Sequence, residues 1–250
     1  MAGKSIAYAC LCAYAAACAS TPEQTAPAAA SSHTFVRSVA PFAVTDENGR
    51  PYEQPFLGGF DVPRPQFVDI DADGDLDLFV QERSNELMFF ENTGAAAAPR
   101  FVWRTDKYQD LGIAEWNRFA DLDHDGDLDL LAEEPFSYIR YYRNDGTRRQ
   151  AAFTLAADSL RDVEGKPIFA DRQNIPNLTD LDCNQRLDLF LGRVEGTLTR
   201  YQQGTAATTF GFVTDRFEGI EIVAQIGSLH GANTMYWADY DGDGDGSLLG

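Results

Sequence analysis

The chain has few of the residues from which disulfide frameworks, zinc sites and nucleophilic triads are built. It holds four cysteines and three histidines among 250 residues. Cys10, Cys12 and Cys18 crowd the N-terminus. Cys183 is left alone, so no internal disulfide framework can form. His33, His124 and His230 are scattered, and no zinc-ligand, Ser/His/Asp or Cys/His spacing surrounds them. Positive charge is also scarce. Twenty basic residues stand against 39 acidic ones, a net charge of −19. That sign excludes the electrostatic footprint of a nucleic-acid binder or of a protein held on anionic lipid by charge. Beyond the N-terminal segment no apolar run approaches the ~20 residues that cross a bilayer. No long helical periodicity is present either.

What is present is aspartate in a fixed pattern. Asp69-Ile70-Asp71-Ala72-Asp73-Gly74-Asp75-Leu76-Asp77 and Asp121-Leu122-Asp123-His124-Asp125-Gly126-Asp127-Leu128-Asp129 share one ladder, D-x-D-x-D-G-D-L-D. Calcium takes six to eight oxygen ligands, and loops supply them from positions 1, 3 and 5, a carbonyl at 7 and a later carboxylate. Alternate residues of a tight loop converge, and Gly at position 6 permits the positive φ of the turn. Two carboxylates ~5 Å apart repel by roughly 3 kcal/mol at an effective dielectric near 20, so a cation is expected among them. The expected ligands are Asp69, Asp71, Asp73, Asp75 through its carbonyl, and Asp77. In the second copy they are Asp121, Asp123, Asp125, Asp127 and Asp129. His124, at position 4, is expected to face solvent.

An EF-hand opens on the same ladder but needs a bidentate Glu at position 12 and flanking helices. Position 12 is Val80, Ala132, Leu191 or Gly250. The residues after the ladder, Leu78-Phe79-Val80, Leu130-Leu131-Ala132 and Leu189-Phe190-Leu191, read as short buried strands. The loops are therefore expected to join strands.

Two further copies are degraded. The third offers Asp180, Asp182, Asn184 and Asp188, but Gln185 replaces the Gly and Arg186 brings positive charge. A left-handed residue other than Gly costs roughly 1–2 kcal/mol, so weak binding or none is expected there. The fourth offers Asp239, Asp241, Asp243 and Asp245, with Ser247 in place of the last Asp.

The ladders start 52 (121 − 69), 59 (180 − 121) and 59 (239 − 180) residues apart, a period typical of propellers and arrays. Each repeat also carries an aromatic second strand: Leu87-Met88-Phe89-Phe90, Ile139-Arg140-Tyr141-Tyr142, and Leu198-Thr199-Arg200-Tyr201. A turn follows at Asn92-Thr93-Gly94, Asn144-Asp145-Gly146 and Gln203-Gly204, suited to positive φ. A last strand opens at Phe101, Phe153 and Phe210. Four short strands per repeat is the content of one propeller blade. The expected fold is all-β: a β-propeller of four-stranded blades with DxDxDG calcium loops, with about three to four blades present.

These residues, with the segment Phe89-Phe90-Glu91-Asn92-Thr93-Gly94 and Pro99-Arg100-Phe101, resemble the FG-GAP/VCBS-type repeat family, whose calcium-loop blades also occur in integrin α-subunit propellers. The resemblance covers residues 34–250. It implies a propeller with calcium bound in its blades, held by the ladder aspartates named above. Thr34-Phe35-Val36 is similar to the last strand of a blade and is expected to complete one. Because the sequence stops one strand into the fourth blade, it reads as the N-terminal part of a longer protein.

The first 17 residues read as a targeting segment: Lys4, then a short apolar run too brief to span a membrane. Ala15-Ala16-Ala17-Cys18 reads either as a lipobox with Cys18 lipidated or as an ordinary A-x-A cleavage site, and the lipobox reading is preferred. Residues 18–33, rich in Ala, Thr, Pro and Ser, read as a flexible tether. The protein is expected to be exported to the cell envelope or surface, touching the membrane only through a lipid on Cys18. Three roles fit: a module binding a protein or glycan, a carbohydrate-active propeller enzyme, or a structural spacer. The first is preferred, because no catalytic constellation stands out. Trp103, Trp116 and Tyr108 are suited to stacking on sugars but are expected to serve as blade packing.

Overall fold

A computed structural model describes residues 36–83, 86–134, 137–170, 174–220, 236–238 and 247–249. Contacts divide the chain into Met1–Arg37 and Ser38–Gly250. Of the first unit only Val36 and Arg37 are described, both exposed and outside any strand. The targeting segment, the tether with Cys18, and Thr34 and Phe35 of the expected extra strand lie outside the described residues.

Among the described residues of Ser38–Gly250 every regular element is a strand or a 3-10 turn. Strands β1 (Arg64–Val68), β2 (Asp77–Arg83), β3 (Glu86–Asn92) and β4 (Phe101–Thr105) form one sheet in chain order. β5 (Asn117–Ala120), β6 (Asp129–Glu134), β7 (Tyr138–Asn144) and β8 (Phe153–Ala157) form the second. A short β9 (Arg161–Asp162) precedes β10 (Asn177–Thr179), β11 (Asp188–Gly192), β12 (Leu198–Gln203) and β13 (Thr209–Thr214). These four make the third sheet, and β9 adds to its β13 edge in parallel. β14 (Tyr236–Ala238) and β15 (Ser247–Leu249) pair antiparallel. Neighbouring strands within the first two sheets are antiparallel throughout.

The expected all-β blade architecture is observed: the described residues form three four-stranded blades and two strands of a fourth, and no sheet among them closes on itself. Each of the first three ladders is the loop of its blade's first hairpin. Val68 pairs with Asp77, Ala120 with Asp129 and Thr179 with Asp188. The loops therefore join strand to strand, as the missing position-12 Glu implies.

The core lies between blades. Side chains alternate across a strand, so the apolar run of β6 serves two interfaces. Leu130 and Ala132 pack with Phe79 and Leu87 of the first blade. Leu131 packs with Leu189, Leu191 and Phe210 of the third. A run buried on both faces is thus the signature of an inner blade. Tyr108, in the 3-10 turn after β4, reinforces the first interface. Its ring lies 5.0 Å from both Phe79 and Phe89 and 6.3 Å from Phe153. Gln109, held at φ 50°, donates from Nε2 to the Ala151 carbonyl at 2.8 Å and accepts the Phe153 N–H at 2.9 Å. Phe217 repeats the device after the third blade, 5.1 Å from Phe190 and 6.2 Å from Trp237.

Two details differ from the sequence reading. Gly94 and Gly146 are not in the left-handed region; a close approach requires them instead. A Cβ on Gly94 would lie 2.3 Å from the Ala98 carbonyl oxygen, and one on Gly146 would lie 2.2 Å from that of Gln150. The turns wrap around Asn92 and Asn144, whose Oδ1 atoms accept the N–H groups of Gly94 and Arg100, or of Gly146 and Ala152. The second detail is the seven extra residues (59 − 52) of the second period. They belong to the long β8–β10 connection, where Leu160, Ile168 and Ala170 join the core between the second and third blades.

Candidate metal centre

The hairpin backbone shapes each ladder before any ion is considered. Positions 4 and 6 both turn left-handed: Ala72 (φ 53°) and Gly74 (97°), His124 (62°) and Gly126 (92°), Cys183 (54°) and Gln185 (65°). Position 6 was legible from its glycines, whereas position 4, occupied here by Ala, His and Cys, gave no such signal. Position-1 carboxylates then brace the turn. Asp69 accepts the Asp73 and Gly74 N–H groups at 3.1 and 3.2 Å, and Asp121 accepts that of Gly126 at 3.1 Å. Position 5 accepts the N–H of position 7, at 3.0 Å in both Asp73 and Asp125.

Position 2 ties each loop to the core. Ile70 is buried in the cluster between the first and second blades and Leu122 in that between the second and third. Ordering a loop therefore seats a residue in a blade interface.

The sequence-predicted ligands of the first two loops come together in part. One carboxylate oxygen from each of Asp69, Asp71 and Asp73 lies within 4.8 Å of the others, and the same holds for Asp121, Asp123 and Asp125. Oδ1 of Asp71, of Asp121 and of Asp127 is buried without a hydrogen-bond partner. Buried polar atoms nearly always have partners, so these orphaned oxygens are suited to facing a cation. The hard, all-oxygen donor set matches calcium. Asp77 and Asp129, at position 9, sit deeper. Asp77 accepts the Asn92 N–H at 2.7 Å. Asp129 accepts the N–H of Asn144 at 2.8 Å and of Leu122 at 3.1 Å, and the Tyr141 hydroxyl at 3.0 Å.

Electrostatics record the crowding. Burial, then the charges of Asp71, Asp73 and Asp75, push Asp77 up to about 6 against the hydrogen bond from Asn92. Burial, then the neighbouring ladder aspartates, push Asp127 up to about 6 as well. Asp71 and Asp129 are also raised, burial being the largest cause for each. Burial and the adjacent Asp129 charge raise the Tyr141 phenol, which keeps it a proton donor.

The third loop keeps the backbone and changes the chemistry. Asp180 still accepts the N–H groups of Asn184 and Gln185 at 2.9 and 2.8 Å. Arg200, on β12, fills the space that carboxylates face in the other loops. Its Nε donates to Asp188 Oδ1 at 2.9 Å, and its Nη2 donates to Asp188 Oδ2 at 3.0 Å and to Asp182 Oδ2 at 3.1 Å. Twelve residues past position 9, Arg200 is the counterpart of Phe89 and Tyr141. A bulge against the last strand of the blade falls at this step in all three sheets. Arg200 was missed from the sequence, although setting Phe89-Phe90, Tyr141-Tyr142 and Arg200-Tyr201 in register would have exposed it.

Gln203 completes the change. It stands where Asn92 and Asn144 do, and its longer side chain crosses to the second blade. Its Nε2 donates to the Leu122 carbonyl at 2.7 Å, and its Oε1 lies 2.9 Å from His124 Nε2. His124 is exposed, as expected, and it also meets Gln203, a contact that the extra methylene of Gln makes possible. Cys183 is an exposed free thiol at position 4. Trp116 is buried in the core cluster between the second and third blades, and Trp103 donates its indole N–H to Asp106 at 3.1 Å. With Tyr108 between blades, these aromatics serve packing. The fourth ladder, Asp239 to Asp245, and His230 lie outside the described residues.

Four-stranded antiparallel blades, stacked through their faces and each opening on an acidic hairpin loop, define a propeller-type repeat protein. Residues 69–132 match the family model for the FG-GAP-like repeat. The chain thus carries an FG-GAP-type repeat, one full period from the first ladder into the strand after the second, which points to a β-propeller-like interaction module. No curated protein matches the chain.

Proposed function

We propose that the chain is a calcium-binding propeller module, exported to the cell surface, that engages a protein or glycan partner. The observation that carries this reading is the pair of carboxylate triads, each within 4.8 Å, in equivalent loops with orphaned buried oxygens. Asp69, Asp71 and Asp73 would hold one ion, with Asp75 and Asp77 completing its surroundings. Asp121, Asp123 and Asp125 would hold a second, with Asp127 and Asp129. Asp239, Asp241, Asp243 and Asp245 repeat positions 1 to 7 and extend the proposal to a further ion. Calcium there neutralises repelling carboxylates and, through Ile70 and Leu122, stiffens the blade interfaces that shape a binding surface. Extracellular modules work with weak, millimolar-range sites, which suits an exported protein.

A thermal melt of residues 19–250 in calcium-depleted buffer, in magnesium and across a calcium titration tests the metal. A ligand at one hundred times its Kd adds about 2.7 kcal/mol per site. Two sites then raise the midpoint by roughly 10–20 °C at the 2–4 °C per kcal/mol typical of this size. A midpoint indifferent to calcium would sink the reading. The lipid anchor is tested separately. Cys18→Ser in the full chain should abolish fatty-acid labelling and release the protein from the membrane fraction. Unchanged partition would refute the anchor.

A further inference from the structure

We infer that the third blade carries its own cation: the guanidinium of Arg200 takes the place of the metal ion, so the loop at 180–188 orders without calcium. The inference rests on the calcium reading for the first two loops and marks its boundary. Three observations carry it. Arg200 reaches both carboxylates that would face an ion from positions 3 and 9, with three hydrogen bonds of 2.9–3.1 Å. Its side chain is 15% exposed and that of Asp188 0%, so the pair is a built, desolvated feature rather than a chance surface contact. The guanidinium also lies over the Phe217 ring, 5.8 Å from its centroid, within range of a cation–π contact.

The residues around Arg200 change in concert. Asn144 N–H binds the position-9 carboxylate of the second blade. In the third, Arg200 occupies both Asp188 oxygens and the Gln203 N–H turns to the Leu187 carbonyl at 2.8 Å. Gln202 adds a donor to Asp182 at 3.3 Å. Position 7, where the other loops add Asp75 and Asp127, is Arg186. Phe89, Tyr141 and Arg200 thus form a series at one structural position: no donor, one neutral donor, one full positive charge. A divalent ion beside Arg200 would face a fixed like charge and would have to displace three charge-assisted hydrogen bonds, which are about twice as strong as neutral ones.

Hydrogen exchange read by mass spectrometry on residues 19–250, with and without calcium, tests this loop by loop. Segments 69–77 and 121–129 should gain at least tenfold protection with calcium, while 180–188 is equally protected in both buffers. Arg200→Tyr, which installs the second blade's residue, should speed exchange of 180–188 at least tenfold in calcium-free buffer and lower the melting midpoint by roughly 5–10 °C. Asp182→Asn, a milder change at an exposed residue, should speed the same segment equally with and without calcium. Calcium-dependent protection of 180–188 in the unmodified chain would overturn the inference, as would unchanged exchange there in both variants. If no segment responds to calcium, the metal reading of the first two loops fails. The Arg200→Tyr and Asp182→Asn results in calcium-free buffer still decide the role of Arg200.

Discussion

The first two acidic loops and the third share a backbone and solve one charge problem in opposite ways. All three turn left-handed at positions 4 and 6, and all three brace that turn with the position-1 aspartate. In the first two, carboxylate oxygens converge and some remain buried and unpaired. In the third, an arginine from a strand beyond the motif takes two carboxylates in hand. The hairpin conformation is therefore held by its own side-chain to backbone hydrogen bonds. On the reading proposed above, what an ion or a guanidinium would add is neutralisation, and one side chain on the neighbouring strand would make the choice between them.

Position 9 is where this contrast breaks most visibly. Asp188→Asn would leave Arg200 largely buried and half paired, and breaking a buried pair costs about 3–5 kcal/mol. The loss should appear equally with and without calcium. Asp77→Asn should behave with the opposite dependence. Its amide oxygen can keep the Asn92 N–H bond while the change removes a charge that its neighbours already oppose. In calcium-free buffer the variant should match or exceed the unmodified protein, and with calcium it should fall below it. Urea melts of both variants in both buffers check this. Equal calcium dependence of the two would erase the distinction between the loops.

A smaller change sharpens the middle member of the series. Tyr141→Phe gives the second blade the donor-free chemistry of the first, removing the hydroxyl that binds Asp129. A hydrogen bond to a charged group contributes about 1.5–3 kcal/mol. The calcium-free protein should lose stability near the lower end of that range, because two backbone donors to Asp129 remain. With calcium bound the loss should shrink, the ion taking over part of the neutralisation. A loss that grows with calcium would mean the hydroxyl supports the metal site.

Much of this design is written locally and was legible. The ladder reveals its loop because alternate aspartates and a glycine act within nine residues. Leu130-Leu131-Ala132 reveals a strand buried on both faces because no polar residue interrupts it. The three-blade repeat follows from spacing. What escaped is non-local. Arg200 meets Asp188 from the next strand, at a bulge step no linear motif marks. Gln203 meets His124 across a blade boundary, 79 residues apart. Gly94 and Gly146 look like turn glycines of positive φ, yet what they require is room beside a returning backbone. Leu160 and Ile168 sit in a connection whose composition gives no period, and only the neighbouring blade makes them core.

A further contrast separates the metal-free from the loaded state by pH. Asp77 and Asp127 are held near 6 in the fold, above their ordinary value of 3.8. A carboxyl raised by folding binds its proton more tightly in the native state than in the unfolded one. Its contribution to stability is then fully present below the unfolded value and is lost as pH rises through about 6. Calcium-depleted protein should therefore lose stability between pH 4 and pH 7 from the first two blades. With calcium the slope should reverse, since ligand carboxylates must be deprotonated to bind metal and loading improves as pH climbs through the same window. Melting midpoints followed from pH 4.5 to 7.5 in both buffers would show two curves converging at the acid end and separating toward neutrality. Parallel curves would mean that the carboxylates pushed up by burial and by one another are not the groups that calcium discharges.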